Sequence, residues 1–406
     1  MEAEQNPYTP NVGAVPPVIA GREELERRFN VLLARILHGR SEQSMIVTGL
    51  RGVGKTVLLE QFRKMADDKG WVVIDREINK HEEDDFRRSL ATWMQSALLR
   101  LSPKERWSER LKTALGVLRS FSFSVDPEGR MSAGIDVEVQ HGFADQGVLQ
   151  QDVTDLFVAV GEAAKEHGRG IILLLDEIQF LAPAQLEALI AALHKTTQRA
   201  LPVTLVGAGL PQIPELAGDA KSYAERLFVF PRIGNLTPDQ ARIALEEPAR
   251  EEGTTWTGQA LDLAIAETEG YPYFLQELGY ASWLVAYNNA ITEADVRLAL
   301  PYYQEKLDSS FFRVRLDRAT ELQRTYLRVM AQMGSEPQKA ADVAAMMGRT
   351  SSQVAPTRAE LVNMGLLYTP QHGYAAFTVP QFDRFMKRAM PTFTIPPVQS
   401  RKSAHN

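Results

Sequence analysis

Apolar residues recur at helical spacing between about Glu23 and His38, with Leu25, Phe29, Leu32, Leu33 and Ile36 on one face, which predicts a helix. The run Met45-Ile46-Val47 then predicts a strand ending at Thr48. Helical spacing resumes from about Lys55 to Asp68, and Trp71-Val72-Val73-Ile74 predicts a second strand. Strand, helix, strand in this order builds a parallel sheet. Further strands are predicted at IILLL (171–175), VTLVG (203–207) and Phe228-Val229-Phe230, with helices at about Val153–His167 and 184–198. The wholly apolar run IILLL fits a strand buried on both faces.

Elsewhere the periodicity changes. Between about Asp84 and Leu118 it is helical, whereas SFSFSV (120–125) alternates, turns at Asp126-Pro127-Glu128-Gly129 and faces an alternating Ile135–Val139, which predicts an inserted hairpin. From Thr237 to about Leu300 the pattern is helical with short polar breaks, and Thr237-Pro238-Asp239-Gln240 has the form of a helix start. The expected organisation is an extended N-terminal arm (1–18) and an α/β parallel-sheet core (19–235) with a helical and hairpin insertion at about 84–150. A small helical domain (236–300), a linker (301–318) with Arg313, Arg315 and Arg318, a C-terminal domain (319–390) and a flexible tail (391–406) follow.

A chain of 406 residues is too long for one ordinary core, so two or three domains fit its length. It has no cysteine, which excludes disulfides and thiolate chemistry. The first residues carry Glu2 and Glu4 without an apolar segment, and no stretch approaches the roughly 20 apolar residues of a membrane helix, so a cytoplasmic protein without membrane contact is expected. The net charge of −6 is unevenly placed: residues 301–406 hold 14 Lys/Arg against 8 Asp/Glu, so the acidic excess lies in residues 1–300. The seven histidines are scattered without ligand spacing. Lys104, Arg106, Arg110 and Lys112 make either a DNA-touching insertion or one face of a solvated helix.

Residues 49–56 read GLRGVGKT and satisfy G-x-x-x-x-G-K-[ST] through Gly49, Gly54, Lys55 and Thr56, with Gly52 inside the loop. Glycines let consecutive N–H groups turn inward, and the following helix adds positive potential at its N-terminus. Lys55 is expected to reach the outer phosphates and Thr56 to bind Mg2+, with Val53 and Val57 completing the nucleotide contacts. Asp176-Glu177 ends the most apolar strand, where Asp176 suits the metal shell and Glu177 suits the attacking water. Asn79-Lys80-His81-Glu82 resembles a guanine-reading element only superficially, because it follows the second strand and ends in Glu. ATP is therefore the expected nucleotide.

These features together resemble the AAA+ ATPases, and within them the branch of origin-recognition and archaeal initiator proteins and the related signalling (STAND) ATPases. The resemblance is carried by Pro17-Val18-Ile19-Ala20-Gly21-Arg22-Glu23, GLRGVGKT, LLLDEIQ (173–179), Ala224-Glu225-Arg226-Leu227 and Gly270-Tyr271-Pro272, and covers about residues 17–300. It implies a P-loop NTPase sheet domain (AAA+) followed by a helical lid, with Ile19, Gly21 and Pro272 as base contacts. It also implies that Arg226 is either a finger acting in trans in an ATP-bound homo-oligomer or the ion-pair partner of Asp219 or Glu225. Two positions depart from the pattern. Gly207-Ala208-Gly209 ends the fourth strand where relatives carry a polar sensor, and Tyr273 follows Pro272 where initiators carry an arginine. Both departures point to slow turnover.

At the C-terminus, Ala341–Gly348 reads as a helix ended by glycine, Thr350–Val362 as the second helix of a helix-turn-helix, and Gly365–Tyr368 with Tyr374–Val379 as a wing around Gln371-His372-Gly373. The whole resembles a winged helix. On a double-stranded DNA reading, Ser351, Ser352, Gln353, Thr357 and Arg358 meet the groove and phosphates, and His372 rides on the wing. Pro356 suggests that the second helix starts late, near Gln353. The alternative is a protein-docking or autoinhibitory module.

Overall fold

The computed structural model describes residues 1–11, 13–79, 83–102, 107–123, 137–140 and 142–396. They form two compact units, one of Gly21–Gly49 with Gly54–Ile233, the other of Met1–Ala20, Leu50–Val53 and the described residues from Gly234 on.

The first unit opens with α1 (Glu23–Leu37), which buries Phe29, Leu32 and Leu33 as its spacing predicts. It continues through β1 (Ser44–Thr48), α2 (Lys55–Asp68), β2 (Val72–Glu77), α3 (Glu83–Leu101), α4 (Glu109–Phe123), α5 (Leu149–Glu166) and β3 (Ile171–Asp176). Then come α6 (Pro183–Gln198), β4 (Val203–Gly209), α7 (Ile213–Ala220), α8 (Ala224–Leu227) and β5 (Phe228–Val229). The five strands form one parallel sheet in the order β2-β3-β4-β1-β5. β1, β3 and β4 are buried along their whole length, as expected of a parallel sheet covered on both faces. The register pairs Thr48 with Gly209 and Leu175 with Gly207, so the C-terminal ends of these three strands share one edge.

The insertion differs from the expected helix-plus-hairpin. Residues 120–123 are the last turn of α4 rather than a strand. The alternation of Phe and Ser hides a helical stripe: Leu111, Ala114, Leu115, Leu118 and Phe121 are all buried on one face. Ser122 returns its hydroxyl to the Leu118 carbonyl at 2.8 Å, which satisfies it within the helix. Residues 137–139 form no strand, and the expected turn and the rest of the second arm lie outside the described residues. An ion pair between Arg87 and Asp152 (2.9 Å), 4% and 0% exposed, ties α3 to α5, and the Arg87 guanidinium lies 5.5 Å from the Phe121 ring centroid. Of the basic segment, Lys104 and Arg106 lie outside the described residues, while Arg110 pairs with Glu162 and Lys112 with Glu109.

The second unit begins with the N-terminal arm, in which Ala3–Gln5 form a short 3-10 helix and which is firmly held. Tyr8 is 1% exposed, donates its hydroxyl to the Leu245 carbonyl at 2.5 Å and accepts the Trp256 indole N–H at 2.8 Å. Helices α9 (Pro238–Glu251), α10 (Gly258–Thr268), α11 (Pro272–Val285) and α12 (Glu293–Lys306) follow, with β6 (Thr255–Trp256) pairing β7 (Ala290–Ile291). α9 starts where expected, and Thr237 and Gln240 close a capping box there. The linker is helical: a π-helical stretch, Leu307–Phe312, continues α12 into α13 (Arg313–Leu316).

Beyond it stand α14 (Glu321–Met333), β8 (Gln338–Lys339), α15 (Ala340–Met346), α16 (Ser351–Asn363), β9 (Leu367–Tyr368), β10 (Tyr374–Phe377) and α17 (Phe382–Ala389). β8, β10 and β9 form a three-stranded antiparallel sheet in that order. α16 starts at Ser351, earlier than expected from Pro356, because Thr350 and Gln353 close a capping box; Pro356 then sits inside the helix. Phe312 stacks on Phe385 at 5.0 Å and meets Phe274 and Phe382 edge to face, so one aromatic cluster joins the helical region to the C-terminal elements. The tail is pinned in its first part: Arg328 donates to the Met390 carbonyl at 2.7 Å and Arg349 to that of Pro396 at 2.8 Å.

Candidate nucleotide site

In the sheet unit, β1 delivers the chain to Gly49, whose N–H donates to the Gly209 carbonyl at 3.1 Å. Gly54 ends the loop at φ 90°, in the left-handed region that glycine enters without strain, and is the N-cap of α2. No side chain caps α2 and no acid stands in its first turn, so its leading N–H groups are left for an anion. Lys55 is 6% exposed and its ammonium donates to the Gly49 carbonyl at 3.1 Å, bent back over the loop. Val57 is half-buried and Thr56 exposed.

Thr56 donates its hydroxyl to Asp176 Oδ2 at 2.5 Å, and the other carboxylate oxygen accepts the Glu177 N–H at 2.8 Å. The sequence separates these residues by 120 positions, and the sheet order brings them together at one edge. Glu177 has φ 53°, a strained value for a residue with a side chain. Its carboxylate accepts the Gln179 amide, and the Gln179 carbonyl in turn accepts the Leu210 N–H at 3.2 Å. A Cβ at Gly209 would lie 2.7 Å from Gln179 Oε1. The glycine end of β4 is therefore the space into which Gln179 fits.

Leu50–Val53 belong to the other unit. Gly52 has φ 78°, and a Cβ there would come within 2.6 Å of the Tyr271 hydroxyl. Tyr271 is fully buried, has no hydrogen-bond partner for that hydroxyl among the described residues, and is the N-cap of α11; burial holds its pKa above the ordinary phenol value. Val53 is buried. Arg51 donates its backbone N–H to the Thr378 carbonyl at 3.3 Å, and a Cβ at Gly365 would lie 2.7 Å from its guanidinium. Thr378 in turn donates its hydroxyl to the Gly365 carbonyl at 2.7 Å.

The remaining expected residues are more dispersed. Ile19 is half-buried, Gly21 turns the chain at φ 72° with its N–H on Glu23 Oε1 (3.0 Å), and Pro272 is the first residue of α11. Arg226 is exposed and makes no ion pair with Asp219, Glu225 or any other described carboxylate. It precedes β5, whose Phe228 pairs with Ser44 at the start of β1. A five-residue strand rising about 3.3 Å per residue separates that edge from the phosphate loop.

On α16, Ser351 and Ser352 are exposed, Arg358 is half-buried and His372 stands exposed between β9 and β10. One expected DNA contact needs correction. Thr357 is 7% exposed and faces the interior, because α16 turns that side toward the core with Val354 and Leu361. Gln353 is exposed, and its amide carbonyl accepts the Thr350 N–H at 2.9 Å. Three residues of consequence carried no expectation: Gln179, Arg51 and Tyr271. Each lies inside a motif quoted for its neighbours, but its partners are set by tertiary contacts. Among the described residues, no group of three or more His, Asp or Glu side chains forms a metal cage, and no helix is long and apolar enough to cross a membrane.

The donor set fits a nucleotide with Mg2+: a buried ammonium, an uncapped helix N-terminus, and a hydroxyl and a carboxylate in contact at the same strand edge. Residues 18–206 match the family described as an AAA ATPase domain, and residues 309–386 match a domain of unknown function, DUF8462. No curated protein matches the sequence. Among solved structures, the chain is similar to the Walker-type ATPase of Pyrococcus abyssi at 15% identity and a TM-score of 0.52, over 91% of this chain and 96% of that one. The Orc1 protein of Aeropyrum pernix, solved in complex with DNA, is similar at 16% identity and 0.45, over 92% and 94%. The RuvB Holliday junction branch migration motor of Thermotoga maritima is similar at 14% and 0.46, over 91% and 95%. The phosphate loop and the Asp176 strand thus both lie within residues 18–206, the stretch that matches the AAA ATPase domain family.

Proposed function

We propose that the chain binds ATP with Mg2+ and hydrolyses it slowly to ADP and phosphate, and that nucleotide state governs what its C-terminal helix-turn-helix elements bind. The reading rests above all on the 2.5 Å contact between Thr56 and Asp176, which joins two hard oxygen ligands beside the phosphate loop. These two residues would hold Mg2+, which supplies charge neutralisation at the phosphoryl oxygens. The backbone N–H groups of Gly52, Val53 and Gly54 would face the phosphates and Lys55 the outermost of them, with Gly49 turning the chain into the loop. Ile19, Gly21 and Pro272 would be base contacts, and Val57 a further nucleotide contact. Glu177, held by Gln179, would orient a water and take its proton as the water oxygen bonds to the terminal phosphorus and ADP leaves. Slow turnover is supported by the glycine end of β4 and by Tyr273 in place of an arginine.

Of the two readings of the C-terminus, a nucleotide-controlled switch with an autoinhibitory or protein-docking module has specific support in the contact of Arg51 with Thr378 and Gly365. Duplex DNA binding is supported by the exposed Ser351, Ser352, Gln353 and His372 and the half-exposed Arg358, a small polar surface with a single arginine. The deciding experiment measures nucleotide content and mass of the purified full-length protein, with and without duplex DNA. On the switch reading it is a monomer carrying ADP, its turnover is indifferent to DNA, and Arg51→Ala speeds ADP release about tenfold. A DNA-stimulated, ATP-bound oligomer would transfer the assignment to DNA gripping. Lys55→Ala should abolish nucleotide binding in either case, and unchanged ATP affinity would sink the site itself.

A further inference from the structure

A cavity of about 1060 Å³ opens wholly within the second unit, between the N-terminal arm, α11, the helical linker and the turn before β9. It is separate from the phosphate cradle: Gly49, Gly52, Gly54, Lys55, Thr56, Asp176 and Glu177 take no part in its lining. Of the phosphate loop, only Arg51 reaches it.

Four cationic side chains, Arg51, Lys306, Arg315 and Arg318, line the cavity against one carboxylate, Glu277. That carboxylate already accepts the Tyr273 hydroxyl at 2.7 Å. Lys306, Arg315 and Arg318 form no ion pair with a described carboxylate; among the described residues Arg315 donates to the Phe311 carbonyl one turn earlier. Its guanidinium lies 4.1 Å from the Phe311 ring centroid, and Tyr273 stacks on the same ring at 4.6 Å and 18°. Tyr280 and Tyr302 add exposed aromatic faces. Two hydroxyls in the wall, Thr9 Oγ1 and Tyr303 Oη, have no hydrogen-bond partner among the described residues.

Like charges gathered around a partly enclosed space repel one another, and an anion bound among them removes that cost. Guanidinium groups favour phosphate, through paired N–H donors in a planar fork. Aromatic faces beside them favour a planar ring. The volume is at the upper end of small-molecule pockets, larger than a single phosphate requires. We propose that this cavity binds a small organic phosphate bearing one or two planar bases, a mono- or dinucleotide, separately from the nucleotide on the phosphate loop. Arg51 belongs to both the loop and the cavity wall, so occupancy of the cavity is felt at the loop.

The test uses full-length Lys55→Ala protein, so that binding at the phosphate loop does not contribute and failure of that site cannot be mistaken for failure of this one. It is titrated calorimetrically with the 5′-phosphorylated adenylate dinucleotide pApA, with 5′-AMP, and with adenosine and ribose 5-phosphate as halves of the ligand. One of the two nucleotides should bind with a dissociation constant below about 0.1 mM, and each half about tenfold more weakly or not at all. Arg318→Ala and Tyr302→Ala alter exposed side chains and should each weaken binding about tenfold without shifting the melting temperature. Absence of binding by both nucleotides up to about 1 mM, or affinity unchanged in both variants, would overturn the proposal. Ribose 5-phosphate binding as tightly as the nucleotides would overturn the assignment of base recognition.

Discussion

Gly209 leaves room at the end of β4 for Gln179, which bridges the Glu177 carboxylate and the Leu210 N–H. A side chain from the short 3-10 turn after β3 (Ile178–Phe180) thus occupies the region where a polar group on β4 was expected. On the proposed function Gln179 is a positioning residue. Gln179→Ala should lower kcat for ATP about tenfold with KM unchanged, since it frees the orientation of Glu177 without touching the phosphate cradle. Steady-state ATPase kinetics would check this; a matching loss of ATP affinity would contradict it. The loop residues and Asp176-Glu177 were legible because each occupies a contiguous stretch whose chemistry is local. Gln179 was not, since its partners follow from the pairing of β3 with β4. At Glu277, burial raises the carboxyl pKa, with the Tyr273 hydroxyl and Lys306 opposing. A raised pKa makes the group's contribution to stability complete below the unfolded glutamate value and lost as pH rises through the folded one. Melting temperature should therefore fall over that interval in the native protein by roughly 1–3 °C more than in Glu277→Gln, as thermal scans across pH would measure.

At the scale of elements, the strands read correctly because a buried parallel sheet demands unbroken apolar runs, and β1, β3 and β4 supply them. Residues 120–123 misled because two-residue alternation and a helical stripe coincide over so short a span; extending the window back to Leu111 reveals the stripe. In the N-terminal arm, nothing local to Tyr8 announces that Leu245 and Trp256 wait for its hydroxyl. Its ring also lies over Gly279, where a Cβ would come within 2.7 Å of it. Tyr8→Ala should cost about 3–5 kcal/mol. Urea unfolding followed by tryptophan fluorescence is a suitable measurement, because Trp256 and Trp283 both contact the arm. A loss below about 1 kcal/mol would mean that the arm is dispensable to this unit.

At the scale of the whole molecule, the position of Arg226 decides how it can act. It stands at the start of β5, one strand length from the edge that carries Lys55, exposed and without an ion-pair partner among the described residues. On the expected role of Arg226 as a finger acting in trans, its guanidinium would serve the loop of a neighbouring copy. Arg226→Ala should reduce ATP turnover at least about tenfold at concentrations where the native protein self-associates, and leave the dilute monomer unchanged. Turnover measured against protein concentration separates these outcomes. Leu50–Val53, covalently bracketed by Gly49 and Gly54 yet packed with the C-terminal elements, carry a thermodynamic obligation. If ATP and ADP bind the loop with different effects on the Arg51–Thr378 contact, whatever engages the β9–β10 hairpin must alter the preference for ATP over ADP by the same factor. A partner's dissociation constants for the ATP and ADP forms would thus measure, without any enzymology, how far that partner resets the nucleotide balance.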